Sequence, residues 1–462
     1  MKRRLVLTAW LAATLLLGPV QTARAADTPR PPNVVFFLID DLGWTDLGCF
    51  GSDLYETPHI DKLAKQGMKF TNAYAACTVC SPTRAALMTG KYPARLHITD
   101  WIHGSKRPNA KLAIPKWTEY LPREEFTVAS ALKEAGYVGA SVGKWHLGNK
   151  EEGYPDQHGF DLNVAGYEAG QPPSYFSPYK IPTLKDGPEG EYLTDRLADE
   201  AVRFIEANKG KPFFLYFPHY AVHTPLQAKK EVVERYQKKI KPGMRHTNAT
   251  YAAMIESVDD AVGRIVAKLA ELGLAERTVI VLTSDNGGLM RSTTNVPLRA
   301  GKGSAYEGGV RVPALVVWPG VTAPGGVCDE PVITPDFYPT LLELAGAKGN
   351  AKHNAAVDGV SLLPLLKDPK AKLKRDAIYW HYPHYHPGGA TPYGAVRAGD
   401  WKLVEFYEDD HVELYNLKDD VGEKDDLAKK MPDRAKELRD KLAVWRKTVG
   451  AQMPTPNPNY KP

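Results

Sequence analysis

Two apolar runs of the sequence each lead into a pair of side chains that offer oxygen atoms. Asp40 and Asp41 follow the run NVVFFLI directly, and Asp285 and Asn286 lie one residue beyond the run TVIVLT. Carboxylate and amide oxygens are hard ligands, which suit Ca²⁺ or Mg²⁺ better than zinc. Because paired acidic residues after a strand are often only a solvated helix cap, these pairs indicate a metal site only if the fold brings them together.

Basic side chains follow two further apolar runs. Lys144 and His146 come after YVGASVG, and His219 and His223 come after PFFLYF. A lysine or a histidine in such a place is usually a surface residue, and His219 fits a structural hydrogen-bonding role equally well. As a group, however, ammonium and imidazole groups bind and stabilise anionic oxygens. A divalent metal beside several basic groups predicts a tetrahedral oxyanion ester as the substrate.

These side chains can meet only if the four apolar runs are strands of one sheet. The runs are short and alternate with amphipathic helices, which predicts an α/β fold with a large, mostly parallel sheet covered by helices on both faces. Ligands of such sheets bind beyond the carboxyl ends of the strands. The site is therefore predicted at that edge. The segment 149–190, rich in Gly, Pro and Tyr, is predicted to be a long surface excursion.

A smaller unit is predicted to follow the charged segment KDPKAKLKRD. Short apolar segments flank the turn residues Gly399 and Asp400, a last helix starts at about Pro432, and the end of the chain has too many prolines for regular structure. We therefore predict an α/β domain over 26–370 and a small C-terminal unit over 371–462, built from an antiparallel sheet and a helix. At their seam lies YWHYPHYH (379–386), which is either a sugar-binding cluster or a packed interdomain contact.

The first 25 residues have the features of a signal peptide. A basic head is followed by an apolar stretch, and Ala23-Arg24-Ala25 gives the small-x-small pattern of a cleavage site. The alternative, a membrane anchor, is less favoured because the apolar stretch is short and interrupted by Gly18 and Pro19. Removal of 1–25 lowers the formal net charge from +5 to +1, since it takes away four basic residues. We expect an exported protein, periplasmic or secreted, with no nucleic acid or membrane as a partner.

Cys80, which directly precedes Ser-Pro-Thr-Arg, has several possible roles. Four cysteines in 462 residues do not make a disulfide scaffold, and the pairing of Cys49, Cys77 and Cys328 stays undecided. The Cys77-x-x-Cys80 spacing lacks the tryptophan-rich context of a redox motif, and no second metal-binding motif supports a zinc site. A thiolate nucleophile would be open to oxidation after export. A buried apolar cysteine is the simplest alternative, although Cys-Ser-Pro-Thr-Arg is an unusual core sequence.

The sequence around Cys80 resembles the formylglycine motif of the type I sulfatases, in which Cys-x-Pro-x-Arg is followed by a helix and Thr-Gly. GYVGASVGKWHLG resembles the second sulfatase motif. The metal pairs, the HTP at His223 and GKGSAYEGGVRVP (301–313) are similar in order and context. The resemblance covers the whole mature chain and implies an alkaline phosphatase-like fold. The departures at Thr78 and Gly139 remove no chemical group.

The resemblance implies that Cys80 is oxidised to Cα-formylglycine by a formylglycine-generating enzyme, which reads Pro82 and Arg84. The hydrated aldehyde then offers one hydroxyl to attack sulfur and a second to expel sulfate. The resemblance also implies a role for each site residue. It implies that Ca²⁺, with Mg²⁺ as the alternative, is bound by Asp40, Asp41, residue 80, Asp285 and Asn286.

The resemblance gives the basic residues roles as well. Arg84 holds residue 80, and Lys144 and Lys302 neutralise sulfate oxygens. His146 is the base for the second hydroxyl, and His223 is the acid for the leaving oxygen, a role that it shares with Lys302. The implied activity is sulfate monoester hydrolysis, with a carbohydrate as the expected substrate. The alternatives are a phosphonate or phosphate monoester hydrolase and a non-catalytic glycan-binding relative. The sulfated position and the oligomeric state stay open.

Overall fold

The structure is a computed structural model that describes residues 30–461. The predicted signal peptide, residues 1–25, lies outside the described residues. From Pro31 onward the chain forms one compact unit, and the division at residue 370 stays a prediction. Within the described range, none of the helices combines the length and the apolar character that crossing a membrane requires.

The strands of the described chain are numbered here in chain order: β1 (Asn33–Ile39), β2 (Met68–Tyr74), β3 (Leu112–Ala113), β4 (Val138–Val142), β5 (Leu162–Val164), β6 (Phe213–Pro218), β7 (Thr278–Ser284), β8 (Arg311–Val317), β9 (Gly326–Cys328), β10 (Val332–Ile333), β11 (Ile378–Tyr382), β12 (Tyr393–Ala398), β13 (Trp401–Phe406), β14 (Val412–Asn416) and β15 (Thr455–Pro456).

The α-helices are numbered in the same way: α1 (Pro58–Gln66), α2 (Cys80–Thr89), α3 (Pro93–Leu96), α4 (Val128–Glu134), α5 (Leu193–Asn208), α6 (Lys230–Lys239), α7 (Ala249–Glu271), α8 (Glu307–Val310), α9 (Phe337–Ala345), α10 (Ala351–Asn354), α11 (Leu363–Lys367) and α12 (Pro432–Val449).

The large sheet has the strand order β10-β2-β8-β7-β1-β6-β4-β5, and β9 also pairs with β2. The central strand β1 is parallel to β6 and to β7, and β4 is parallel to β5 and to β6. Only β8 runs against its neighbours β7 and β2. The four predicted apolar strands are therefore adjacent and parallel, and their carboxyl ends meet at one edge. The predicted mostly parallel sheet is confirmed.

Helices cover both faces of this sheet, as its sequence pattern predicted. Successive side chains of a strand point to opposite faces. Val35 and Phe37 of β1 belong to a core that includes α1, α5 and α7, whereas Val34 and Phe36 belong to a core that includes α2, α4 and α9. Each fully buried side chain of this kind stabilises the fold by roughly 1.5–3 kcal/mol, so the strand that carries the first acidic pair is firmly held.

The small sheet is antiparallel, with the order β11-β12-β13-β14. Strands β12 and β13 meet at the predicted turn, where Ala398 pairs with Trp401. Helix α12 packs on this sheet through Leu438 and Leu442. The predicted antiparallel sheet and final helix are thus confirmed.

Two local expectations are wrong. The proline-rich end of the chain is not wholly irregular, because β15 pairs with β3. The segment 149–190 is not simply a surface excursion, since Tyr175 and Tyr179 within it are completely buried. The hydroxyl of Tyr175 donates to the carbonyl oxygens of Tyr220 (2.7 Å) and His223 (2.9 Å). A tyrosine can be buried in this way once its hydroxyl is paired, and here it fixes the loop that carries His223.

Candidate active site

The polar residues predicted from the strand ends lie together at the carboxyl edge of the large sheet. Backbone hydrogen bonds tie the loops to one another: Lys144 N–H donates to Pro218 O (2.8 Å), and Val222 N–H donates to Asp40 O (3.0 Å). Asp41 N–H donates to a carboxylate oxygen of Asp285 at 3.2 Å. The strand ends and these bonds therefore bring both metal pairs into one cluster.

Cys80 is the first residue of α2 and is 2% exposed. Its sulfur lies 3.7 Å from Asp40 Oδ1 and 3.4 Å from the Lys302 nitrogen. Burial raises the pKa of the Cys80 thiol to about 12, so the unmodified residue is a neutral thiol. This disfavours an ordinary thiolate nucleophile. All four cysteines are free, so the structure gives no support to a disulfide at Cys80 or among Cys49, Cys77 and Cys328.

Arg84 lies one turn further along α2 and is fully buried. Its Nε and Nη2 atoms are 2.9 Å and 2.8 Å from Asp285 Oδ2, and Nη1 donates to the carbonyl oxygen of Lys144 at 3.1 Å. A planar guanidinium suits such multiple contacts. Arg84 thus fixes a predicted metal ligand and the loop after β4. Its predicted contact with the modified residue 80 stays a prediction.

The two lysines of the site each hold one carboxylate. Lys144 Nζ is 2.6 Å from Asp40 Oδ2, and Lys302 Nζ is 2.6 Å from Asp41 Oδ1. The pairing is unequal in effect. Burial and the nearby Asp285 raise the pKa of Asp40 to about 8. Burial acts in the same direction on Asp41, but the ammonium group of Lys302 outweighs it and keeps the pKa of Asp41 below its usual range. A cation beside each acid is what buried charges require.

Two oxygen atoms of the cluster are buried without a hydrogen bond. Among the described residues, Asp41 Oδ2 and Asn286 Oδ1 have no hydrogen-bond partner. Ligand atoms of Asp40, Asp41, Cys80 and His223 lie within 4.8 Å of one another. A buried polar atom without a partner is costly, and oxygen-rich clusters of this kind suit Ca²⁺ or Mg²⁺. The residues present therefore fit the predicted metal.

His223 takes part in this cluster as well. Its Nε2 atom lies 3.7 Å from Asp41 Oδ2, and its Nδ1 atom lies 2.8 Å from the carbonyl oxygen of Thr224. Burial and Lys302 lower the pKa of His223 to about 3, so the ring is neutral in the free protein. By contrast, the carboxylate of Asp41 raises the pKa of Lys302 against the effect of burial. Of the two predicted proton donors, Lys302 is the one that is positively charged in the free protein.

His146 lies beside the acidic cluster in the loop after β4. Its Nε2 atom is 2.5 Å from the carbonyl oxygen of Ile102, which can only accept, so Nε2 carries the proton. Burial and Lys144 lower the pKa of His146 well below its usual value. The other nitrogen, Nδ1, is buried with no partner among the described residues. Gly170 packs so close that a Cβ there would lie 2.5 Å from the ring. A fixed neutral imidazole with a free nitrogen fits the predicted base.

His219 is not part of the site. Its ring stacks on Phe217 at 4.2 Å and is completely buried. Within residues 30–461 neither ring nitrogen has a hydrogen-bond partner. His219 is a core residue, so neither the catalytic nor the hydrogen-bonding interpretation holds.

A cavity of about 890 Å³ opens over the cluster and is lined by Cys80, His146, His223 and Lys302. Its walls also include residues that the sequence did not identify: Trp101, Gln171, Arg291 and Tyr393. These residues lie in loops and one small-sheet strand far apart in sequence and in no motif, so only the fold could find them.

The aromatic and imidazole segment 379–386 divides between two roles. His386 lines the cavity, with its ring 5.5 Å from that of Trp101. His384 is completely buried, 2.8 Å from Thr99 Oγ1 and packed against Trp117. The packed-seam interpretation therefore holds for His384, whereas His386 is placed to contact a substrate in the cavity.

The chain is similar to known sulfatases in sequence and in structure. The family model described as Sulfatase matches residues 32–347, and the model described as N-sulphoglucosamine sulphohydrolase, C-terminal, matches residues 301–448. A sulfatase of Formosa agariphila is 34% identical, covering 93% of this chain and 91% of its own. The N-acetylgalactosamine-6-sulfatase of Rattus norvegicus is 35% identical over 77% of this chain and 70% of its own. The crystal structure of Ps i-CgsB with k-i-k-neocarrahexaose has a TM-score of 0.76 at 32% identity, covering 90% of this chain and 93% of that one.

Proposed function

The chain belongs to the sulfatase family, and we propose that it hydrolyses sulfate monoesters of a carbohydrate by means of a Cα-formylglycine at position 80 and a bound Ca²⁺ or Mg²⁺. The observation that carries the proposal is the place of Cys80. It lies at the start of α2 between Asp40 and Lys302, where the cavity opens over it. A neutral buried thiol has no evident use there, whereas a hydroxyl-bearing residue would face both a metal ligand and a cation.

The metal would be held by the two oxygen-bearing pairs together with residue 80: Asp40, Asp41, Asp285 and Asn286. When bound, such an ion supplies a Lewis acid that lowers the pKa of a coordinated hydroxyl. The oxidation of Cys80 by a formylglycine-generating enzyme would supply that hydroxyl as part of a hydrated aldehyde.

The charges of the site support a sulfate ester. Each of the three buried acidic side chains, Asp40, Asp41 and Asp285, lies beside a basic group, Lys144, Lys302 or Arg84. A divalent ion would make the site positive, which favours an anionic ester and the charge that builds on its oxygens. The described site residues form a single ion-binding cluster, which suits the singly charged sulfate monoester better than a two-metal phosphatase centre. A phosphonate or phosphate ester remains the alternative substrate.

The chain's own residues would move the protons. Nδ1 of His146 is free to accept a proton from a hydroxyl of residue 80. Lys302, protonated and 3.4 Å from the Cys80 sulfur, is placed to donate to the leaving oxygen, and Lys144 to neutralise the sulfate. His223 lies at the same edge and shares the donor role once an anion in the cavity raises its pKa.

The proposal that the substrate is a sugar rests on the lining of the cavity and on the names of the relatives. The walls offer the aromatic rings of Trp101 and Tyr393 and the amide of Gln171, a combination that suits sugar rings and hydroxyls. One relative is named an N-acetylgalactosamine-6-sulfatase, and the similar structure of Ps i-CgsB is a complex with a neocarrahexaose. The intact Cys80-x-Pro82-x-Arg84 argues against a non-catalytic glycan-binding relative. Export to the periplasm or the medium is part of the proposal and rests on residues 1–25.

The test is sulfate release by the chain produced together with a formylglycine-generating enzyme. Hydrolysis of 4-nitrophenyl sulfate is compared with that of 4-nitrophenyl phosphate, and then a panel of sulfated mono- and oligosaccharides is assayed. We expect sulfate ester hydrolysis that is lost in Cys80→Ala. Faster hydrolysis of the phosphate would favour the alternative substrate, and binding of sugars without turnover would favour the non-catalytic relative.

A further inference from the structure

A second cleft, of about 560 Å³, adjoins the cavity over Cys80. The turn 386–390 lines both spaces and lies between them. Hydrogen bonds within the turn give it a defined shape: His386 N–H donates to Ala390 O at 2.9 Å, and Gly389 N–H donates to His386 O at 3.0 Å. A ligand that fills the cavity and extends past this turn enters the second cleft.

The two spaces are lined by basic side chains and by no acidic ones. Lys302 and Arg291 line the cavity, and Lys106 and Arg107 line the cleft. The chain as a whole is nearly balanced, with 59 basic and 54 acidic residues. Lys106, Arg107 and Arg291 are exposed, and none forms an ion pair with another residue of the described chain. A concave surface of one sign concentrates ligands of opposite charge, so this groove favours an extended anion.

The basic segment 106–111 is held in place from its far side by the end of the chain. The Asn457 amide donates to the carbonyl oxygens of Pro108 (2.8 Å) and Ala110 (2.6 Å), and β15 pairs with β3 next to it. These bonds use only backbone atoms of the segment. The two basic side chains of the cleft therefore stay free, on a backbone that is already ordered, which lowers the entropic cost of binding.

The cleft also offers groups that suit a sugar. The hydroxyl of Tyr385 accepts from Leu112 N–H (3.0 Å) and donates to Glu408 (2.8 Å), so it is fully used and the ring is fixed. A fixed aromatic ring provides an apolar face for a sugar ring. Asn109 adds an amide that can hydrogen-bond to hydroxyl groups.

We infer that this cleft is a subsite for a sugar that neighbours the reacting one and carries an anionic group of its own, either a sulfate ester or a carboxylate. The inference rests on the proposed function, because it assigns a substrate class to the same cavity. The substrate is then an oligosaccharide with negative charge on at least two sugars. Lys106 and Arg107 recognise the second charge, and Tyr385 contacts the sugar that bears it.

The test measures binding rather than turnover, so it does not depend on maturation of Cys80. The full chain with Cys80→Ala is titrated by calorimetry with a sulfated carrageenan hexasaccharide, with hexagalacturonate and with neutral maltohexaose. The same titrations are made after Lys106→Ala with Arg107→Ala, and after Lys111→Ala. Lys111 is a matched control because it is exposed on the same segment but lines neither space.

We expect the double substitution to weaken binding of an anionic hexasaccharide by about tenfold or more, since hydrogen bonds between charged groups are lost. Lys111→Ala should change the dissociation constant for the same hexasaccharide by less than about twofold. Loss with the carrageenan sugar alone identifies a sulfate, and loss with hexagalacturonate alone identifies a carboxylate. The inference would be overturned if the double substitution and Lys111→Ala weakened binding equally, or if neither weakened it. It would also be overturned if neutral maltohexaose bound as tightly as the anionic hexasaccharides. Failure of the matured wild type to release sulfate, with this binding pattern intact, would instead reject the proposed function.

Discussion

The ammonium nitrogen of Lys302 lies 3.4 Å from the sulfur of Cys80. The same nitrogen is 2.6 Å from Asp41, and the Lys302 side chain is only 10% exposed. One positive charge is therefore held between a predicted metal ligand and the residue at which the reaction is proposed. Its loop, which precedes α8, is anchored where Lys302 N–H donates to Gly288 O at 3.1 Å.

Substitution of Lys302 should therefore remove both charge stabilisation and the proton donor. We expect Lys302→Met to lower kcat/KM for a sulfate ester by about 10²–10³, the scale found when one group that stabilises developing charge is lost. Steady-state kinetics on 4-nitrophenyl sulfate measure this. Lys111→Met, an exposed lysine outside the cavity, is the control. A loss below tenfold would show that Lys302 only pairs with Asp41.

Maturation should convert Cys80 and leave Cys77 unchanged. Both are buried in the folded chain, so the modifying enzyme must act on the unfolded segment, and folding gives no later access. Peptide mass spectrometry of protein co-produced with a formylglycine-generating enzyme should show sulfur replaced by oxygen with loss of two hydrogens at residue 80. Cys77, in the same peptide, is the internal control. Full activity with Cys80 unmodified would contradict the mechanism.

Removal of the metal should abolish activity without unfolding the chain. Chelation of the wild type leaves every ion pair of the site in place, so we expect the rate to fall by orders of magnitude and to return with Ca²⁺ or Mg²⁺. Activity assays and thermal melting follow the two effects. An unchanged rate after chelation would show that the oxygen cluster binds no catalytic ion.

Asp285→Asn should differ from chelation, because it also removes the negative charge that lies nearest to Arg84, at 2.8 Å. Both side chains are fully buried, and loss of one member of a buried pair costs roughly 3–5 kcal/mol of unfolding free energy. We expect low activity that added metal does not restore, together with a lower midpoint in urea unfolding. Rescue by added Ca²⁺ with unchanged stability would mean that Arg84 is not held by this charge.

The polar cluster at the sheet edge was predictable because most of its parts follow strands whose apolar runs are unambiguous. The strand register brings them together: Ile39 pairs with Ser284, so the oxygen-bearing pairs that follow β1 and β7 necessarily meet. Lys302 is different, since it lies in a glycine-rich loop with no strand before it, and only the resemblance identified it.

The walls of the cavity could not be predicted, because they depend on how distant segments pack. Trp101 and His386 are 285 positions apart and lie together only through the packing of the small unit. Likewise, no pattern separates His384 from His386. One is enclosed by Thr99 and Trp117, and the other is left at the surface of the cavity. The same cause explains why the burial of Tyr175 within the segment 149–190 could not be predicted, since the partners of its hydroxyl are backbone carbonyls on another loop.

His386 has one ring nitrogen available to a substrate. Its Nδ1 atom accepts from Gly388 N–H at 3.0 Å. Burial and the nearby Lys302 lower the pKa of His386 to about 4, so the ring is neutral at neutral pH and its proton lies on Nε2. This N–H group can donate to a sugar hydroxyl in the cavity. His384, two residues earlier, is enclosed and has no such access.

The pair His386→Ala and His384→Ala should therefore separate recognition from folding. For His386→Ala we expect kcat/KM to fall about two- to tenfold on a sulfated oligosaccharide, the effect of one hydrogen bond to a neutral group, and to fall less on 4-nitrophenyl sulfate, which has no sugar hydroxyl. His384→Ala removes a ring that fills a buried site and leaves Thr99 without its partner, so we expect a loss of about 1–3 kcal/mol in unfolding free energy, with both substrates affected alike. Kinetics on the two substrates and urea unfolding measure these effects. If His386→Ala lowered kcat/KM equally on both substrates, the turn 386–390 would shape the catalytic centre rather than bind the sugar.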